Sequence, residues 1–295
     1  MRSPVSQYTL VRPKSLGHAL ESMAASAANG ARLVPLAGGT DLYVTLNAGA
    51  PTGAHYLDLQ PLRELRGIRA NAAGVTIGGL VTFREIRDHA LLAKQLPSLV
   101  AAAREVGAWQ IQNRATIAGN VANASPAGDS LPVLLAHDAE VVVRSVRGER
   151  TIAFAALYTG YRALAVAPDE LIVAVRVPFA PGRAAQFFRK VGTRRAQSIS
   201  KVVFCGVLRR ARNGRVDHVR LAYGSVAPVT LRARAAEAAL LDAAASPAAA
   251  DAAAAALARD LAPIDDIRST RDYRVAVSAN VLLQFLRSAA PAYAG

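Results

Sequence analysis

Two glycine turns hold most of the chemistry that this chain offers. Ala37-Gly38-Gly39-Thr40-Asp41-Leu42 follows a strand-like run, Arg32-Leu33-Val34-Pro35-Leu36, and Thr116-Ile117-Ala118-Gly119-Asn120 comes some 75 residues later. Glycine reaches φ > 0 and lets an anion approach main-chain N–H groups with no Cβ in the way. Neither turn matches the Walker A or the G-x-G-x-x-G fingerprint, so on spacing alone a pair of structural turns competes with a phosphate cradle. Their neighbours favour the cradle. Thr40, Asp41, Thr116, Asn120, Ser125 and Asp129 place small hydroxyl, amide and carboxylate groups around both turns. That set suits ribose or ribityl hydroxyls and phosphate.

Other reactive residues offer less. Asp41 beside a diphosphate would be repelled, so capping backbone N–H groups competes with cofactor contact. Asp129 either meets a cofactor or caps a helix starting at Leu131. Arg194-Arg195, near Lys190 and Lys201, read either as a solvated basic turn or as cations for a bound anion. Trp109, the only tryptophan, is expected in a core or an interface rather than stacked on a cofactor. Five histidines show no H-x-x-x-H spacing, so no metal site is expected, and His55 and His137 read as structural before cofactor-flanking. The single cysteine, Cys205 in Val202–Val207, excludes an internal disulfide and an iron–sulfur cluster ligated by this chain alone; a buried inert thiol is expected. No Ser-His-Asp order or carboxylate pair stands out for hydrolysis.

The elements that must position these residues follow from pattern. The first unit reads as a strand at Tyr8–Val11, a helix from Leu16 to Ala28 capped by Ser15 and closed by Asn29-Gly30, and strands at 32–36 and 55–59. From Leu65 to Pro178 the pattern is mixed. A strand and turn at 74–79, helices from Thr82 to His89 and from Leu96 to Val106, and a short helix at 131–136 are expected, with strands at 140–145 and 170–177. Residues 113–129 show neither helical nor strand period. Beyond a turn at 178–182, strands at 186–191, 202–209 and 216–223 precede helices near 233–245, 248–260 and 273–287, with Asn213-Gly214 as a hairpin turn.

The composition sets the class. With 295 residues, 52% apolar and 19% charged, the chain can bury a core and divides into two or three domains. Its net charge of +14 is scattered rather than gathered in one run, and no nucleic-acid motif accompanies it, so partner docking or a polyanionic cofactor is expected instead of nucleic acid. Met1 to Gln7 hold no apolar run, and no stretch of about 18 apolar residues follows, so no membrane span and a cytoplasmic location are expected.

The two glycine turns, taken with Ser125-Pro126-Ala127-Gly128-Asp129, Tyr158-Thr159-Gly160-Tyr161-Arg162, Pro168–Ile172 and Phe188–Lys201 in that order, resemble the FAD-binding medium subunits of molybdenum hydroxylases, the xanthine and carbon monoxide dehydrogenase flavoprotein family. The resemblance covers essentially the whole chain. It implies an α+β fold: a two-subdomain vanillyl-oxidase-like (PCMH-type) FAD-binding domain over 1–180, divided near residue 60, and a C-terminal domain over 184–290 with a three-stranded sheet and helices. It further implies non-covalent FAD, with Ala37, Gly38, Gly39, Thr40 and Asp41 and then Thr116, Ile117, Ala118, Gly119 and Asn120 giving backbone N–H groups to the diphosphate. Ser125 belongs to the same set, Asp129 would serve the sugar or ribityl side, Val173 the adenine pocket and Lys190 the flavin ring, with 191–201 as the loop where an acceptor approaches.

Such a subunit would pass electrons from 2Fe–2S clusters on a small partner, through FAD, to NAD+ or another acceptor. A large partner would carry the molybdenum cofactor, in a dimer of heterotrimers. Two departures stand out: Ala118 replaces a glycine common in relatives, and Thr40-Asp41 replaces the His-Ser of carbon monoxide types, leaning toward the xanthine type. The competing readings are a stand-alone FAD oxidoreductase acting on a small alcohol or sugar, and a basic nucleic-acid-binding scaffold.

Overall fold

Three short parallel strands lie at the start of the chain. The computed structural model describes residues 7–50, 53 and 55–294, so the expectation for Met1–Ser6 lies outside the described residues. β1 (Thr9–Val11), β2 (Leu33–Leu36) and β3 (His55–Asp58) pair in the order β1-β3-β2, with α1 (Leu16–Ala28) as the crossover. The Ser15 hydroxyl accepts from the His18 N–H, and Gly30 leaves the helix at φ +66°, so both ends of α1 follow their sequence signals. Leu16, Ala19, Leu20 and Met23 form its buried stripe. A short helix, α2 (Leu42–Asn47), grows directly from the first glycine turn; six residues are too few for a periodic pattern to register.

An antiparallel sheet and six helices make up the next unit. β4 (Ile68–Ala70) and β5 (Gly74–Gly78) lead into α3 (Phe83–Asp88), α4 (Ala90–Gln95), α5 (Pro97–Glu105), α6 (Trp109–Gln112), α7 (Ile117–Asn123) and α8 (Leu131–Ala136). The chain returns as β6 (Glu140–Ser145), β7 (Gly148–Ala153), a small hairpin β8 (Tyr158–Gly160) and β9 (Ala163–Leu164), and β10 (Leu171–Pro178). The sheet order is β4-β5-β10-β6-β7. Thr82 starts α3 through a reciprocal capping box with Glu85. Two readings need correction here. Residues 113–120, which lack a period, close α6 and open α7. Gly119 and Asn120 are weak helix formers, and burial of Ile117, Ala118 and Val121 overrides them. β7 escaped notice because it is an exposed, charged edge strand.

The C-terminal sheet is β11 (Ala185–Val191), β12 (Val202–Arg210), β13 (Val216–Gly224) and β14 (Leu231–Arg232), all antiparallel. The expected three strands are therefore four, because β14 is two residues long and carries no alternation. Gly214 turns the β12–β13 hairpin at φ +81°. α9 (Arg234–Leu240), α10 (Pro247–Leu257) and α11 (Arg271–Ala289) cover one face. α9 and α10 end earlier than their alanine content suggests, since Asp242 at φ +60° breaks the first.

Three cores result. One lies under α1 and includes Leu33, Leu57, Leu59, Leu65, Leu80 and Val173; one lies between the second sheet and its helices; the third gathers Phe204, Tyr223, Phe285 and the helices behind them. Polar bonds join the second and third units. The Ser98 hydroxyl on α5 meets His137 Nε2 at 3.0 Å and donates to Gln186 Oε1 on β11 at 3.0 Å. Burial lowers the His137 pKa to about 4, so its ring stays neutral. Cys205 is fully buried on β12, and burial pushes its thiol up to about 12. The native protein should therefore resist a thiol reagent at pH 8 and release one equivalent only on unfolding. Rapid reaction of the native chain would contradict this placement.

Candidate functional site

The first glycine turn is pressed against the segment that leads to the second. A Cβ on Gly38 would lie 2.0 Å from the Arg114 carbonyl oxygen and 3.1 Å from Ala115 Cα. Gly39 sits at φ +77°, its open side closed by the Tyr43 ring. Gln60 steadies the loop by donating to the Ala37 carbonyl at 2.8 Å. Among the described residues, the N–H groups of Gly38, Gly39, Thr40 and Asp41 find no protein acceptor. Consecutive unsatisfied N–H groups around a left-handed residue form an anion-binding concavity. Asp41 occupies the N-cap position of α2 without making a side-chain cap, so the capping role considered for it is not taken up. Its side chain reaches the surface, yet lost hydration raises its pKa, against the opposing pull of the Arg162 charge.

The second turn is built differently. The Ile117 N–H donates to Val81, Ala118 to Gly79, Gly119 to the Thr116 hydroxyl and Asn120 to the Thr116 carbonyl, over 3.0–3.3 Å. Of the donors expected from Thr116 to Asn120, those of Ile117 to Asn120 are thus engaged inside the protein. Here the turn offers close approach instead. Gly79 has no room for a side chain, since a Cβ would meet the Ile172 carbonyl at 2.9 Å and Ala118 Cβ at 3.3 Å. Asn120 Oδ1 accepts from the Ser130 hydroxyl at 2.7 Å, which points its amide N–H groups elsewhere.

Between the first two units opens a cavity of about 630 Å³. Met23, Leu33, Leu59, Leu80 and Ile172 line it with apolar side chains, Arg32, Arg162 and Glu170 add charge, and Ala37, Ala118 and Gly119 also border it. Val173 stands behind that apolar lining, packed in one core with Leu59, Leu65 and Leu80, at a β-bulge in β10. A second cavity of about 580 Å³ lies against the C-terminal unit, lined by Ser125, Tyr161, Ile199, Ser200 and Arg274. Arg162, at φ +54°, borders both. An extended ligand with an apolar end and a charged middle suits this pair of spaces.

Asp129 and Lys190 meet although 61 residues separate them. Lys190 Nζ donates to Asp129 Oδ2 at 2.7 Å and to the Glu105 carbonyl at 3.0 Å. Both side chains are almost wholly buried, at 10% and 6% exposure. Burial raises the Asp129 pKa to about 6, with the Lys190 charge opposing it, and Asp129 Oδ1 is buried with no partner. The helix-capping alternative for Asp129 falls away, because Ser130 holds that position on α8.

The remaining candidates lie elsewhere. Arg194 folds its guanidinium onto the carbonyls of Ala196 and Gln197, stapling its own loop, and Arg195 is exposed. Trp109 is 68% exposed, with Arg87 over its ring at 4.1 Å, so of the core or interface expected for it the core is excluded. Neither His55 nor His137 lines a cavity. Gly79 and Arg162 were missed as site residues; a second Gly-Gly pair ending a strand, and the tyrosine-arginine step at 161–162, were the available signals. Among the described residues no cluster of three His, Cys, Asp or Glu forms, and no helix is long and apolar enough to cross a membrane.

Known proteins resemble this chain in sequence and fold. Residues 6–180 match the family described as the FAD binding domain in molybdopterin dehydrogenase, and residues 187–289 match the CO dehydrogenase flavoprotein C-terminal domain. The xanthine dehydrogenase FAD-binding subunit of Escherichia coli O157:H7 is 31% identical, over 88% of this chain and 89% of its own length. The carbon monoxide dehydrogenase medium chain of Hydrogenophaga pseudoflava is 29% identical over 94% and 95%. A solved structure of carbon monoxide dehydrogenase from that organism, lacking the Mo-pyranopterin moiety of the molybdenum cofactor, superposes with a TM-score of 0.90 at 29% identity, covering 99% of this chain and 98% of the other.

Proposed function

Since the chain belongs to the FAD-binding subunits of molybdenum hydroxylases, we propose that it holds FAD across its two cavities, as the flavin subunit of a xanthine dehydrogenase-type assembly. The residues present fit that group. The row of N–H groups from Gly38 to Asp41 that find no acceptor among the described residues, directly following Ala37 in the lining of the first cavity, is the observation that carries the reading. These groups would hold the diphosphate, with Ala118 and Gly119 allowing it to lie close and the Thr116 hydroxyl fixing the Gly119 backbone. The apolar wall backed by Val173 suits adenine. The unpartnered Asp129 Oδ1 and the Asn120 amide suit hydroxyls on the sugar or ribityl chain, next to Ser125. Lys190, held by Asp129, supplies fixed positive charge on the ring side. Neither cavity is lined by His or Cys, the usual points of covalent flavin attachment, which supports non-covalent binding.

FAD would supply redox chemistry that links 2Fe–2S clusters on a small partner to NAD+ or another acceptor. The protein's part is binding, orientation and local charge. On this reading a large partner carries the molybdenum cofactor, the assembly is a dimer of heterotrimers, and the cytoplasm, where a dinucleotide acceptor is dissolved, is its compartment. Residues 1–180 would form the FAD domain, divided near 60, and 184–290 the C-terminal domain.

The test is the visible spectrum of the purified chain, before and after adding FAD, with acid-released cofactor identified by chromatography. Flavin bands and released FAD are expected. A folded chain that stays colourless in excess FAD would overturn the assignment, and binding of FMN but not FAD would remove the adenine pocket from it.

A further inference from the structure

We propose that Arg274, in the first turn of α11, is the positioning residue that sets the turn 125–129 and the loop 192–200 against each other; the inference rests on the FAD reading above. Its side chain is 4% exposed. Nη1 donates to the Lys201 carbonyl at 2.9 Å and to the Ser225 carbonyl at 2.6 Å, while Nη2 donates to Asp266 Oδ1 at 2.8 Å. Burying a guanidinium is costly unless its donors are satisfied; here Nη1 and Nη2 are bonded while Nε is buried without a partner, and two of the acceptors are main-chain carbonyls from segments that face the second cavity.

Each of those carbonyls leads to the site. Ser225 is held at φ +67°, a strained conformation for a residue with a side chain. Its N–H donates to the Pro126 carbonyl at 2.8 Å, and its hydroxyl lies 2.9 Å from that of Ser200, which donates to the Ala127 carbonyl at 3.3 Å. The same turn ends at Asp129. On the other side, the Lys201 N–H donates to the Val191 carbonyl at 2.7 Å, closing the base of the loop beside Lys190. One guanidinium on the C-terminal helix therefore governs the spacing of the two segments from which Asp129 and Lys190 converge. A lysine would bring the charge without the fork.

The full-length chain, with R274Q, R274K and Y223F, tests this. Y223F serves as the control for simple destabilisation, because it removes a buried bond from Tyr223 to the Ser278 carbonyl on the same helix without touching either segment. Two quantities are read: the FAD dissociation constant, and the rate of tryptic cleavage after Arg194 and Arg195 in flavin-free protein. R274Q should raise both about ten-fold, R274K should fall between, and Y223F should lower Tm while moving neither. Wild-type cleavage and affinity in R274K and R274Q would overturn the inference, as would equal changes in Y223F at equal loss of Tm. Should R274Q fail to fold, R274K decides. Cleavage is read without flavin, so failure of the FAD reading appears separately, as a wild-type chain that never takes up the cofactor.

Discussion

G38A should yield a folded protein that no longer retains FAD. The added methyl would sit 2.0 Å from the Arg114 carbonyl oxygen, a backbone atom that cannot swing aside as a side-chain end can. The loop must then retreat by more than 1 Å, taking with it the four N–H groups that the diphosphate would use. Charge-assisted hydrogen bonds contribute about 1.5–3 kcal/mol each, so losing two raises the dissociation constant about 100-fold or more. The fold should survive, since overpacking at one loop costs about 1–3 kcal/mol. G39A should act in the same direction, because φ +77° is unfavourable for alanine and the Tyr43 ring fills the open side. G17A, in the first turn of α1 with nothing closer than the Ser15 hydroxyl at 3.8 Å, is the matched control and should bind FAD normally. Fluorescence titration with FAD, alongside thermal unfolding, reads both effects. Wild-type affinity in G38A would remove the first turn from the site.

The second large effect concerns Asp129 and Lys190. K190A strands a buried carboxylate and should destabilise the protein by about 3–5 kcal/mol, whereas D129N keeps the shape and one acceptor. D129N should weaken FAD binding about ten-fold at pH 7.5, through loss of a charged acceptor at the unpartnered oxygen. The pH dependence has a definite sign. The folded-state pKa of Asp129 is raised to about 6, above the ordinary value of about 3.9. The native state thus holds this proton more tightly than the unfolded chain does. Its contribution to stability is complete below about pH 4 and is lost as pH rises through about 6. Flavin-free protein should therefore lose stability on this account between pH 4 and 6, and D129N should not. FAD affinity should move the opposite way, weakening as pH falls below about 6, because ionised Asp129 is the better acceptor. Parallel pH profiles for wild type and D129N would rule out this role.

Much of the fold is legible because local interactions write it into short stretches. Ser15, Thr82 and Gly30 mark helix ends by chemistry that needs only their neighbours. The β12–β13 hairpin is announced by Asn213-Gly214 in the same way. α2 and α7 are not legible, since one or two turns of helix show no period and are held by burial against distant residues. β14 and β7 fail for related reasons, one too short and one too polar.

At the candidate site the division is sharper. From the sequence alone come the two glycine turns, the polar residues around them and the ordered motifs that place the chain in its family. Which turn keeps free donors is decided only in three dimensions: Ile117 to Asn120 spend theirs on Val81, Gly79 and Thr116, while Gly38 to Asp41 do not. Both turns look alike as strings, because a hydrogen-bond partner tens of residues away leaves no trace beside the donor. The same holds for the Lys190–Asp129 pair and for Arg274, whose neighbours are set by how β11, β13 and α11 pack. Residue type sets what a group can do; burial and long-range contact decide whether it remains available to do it.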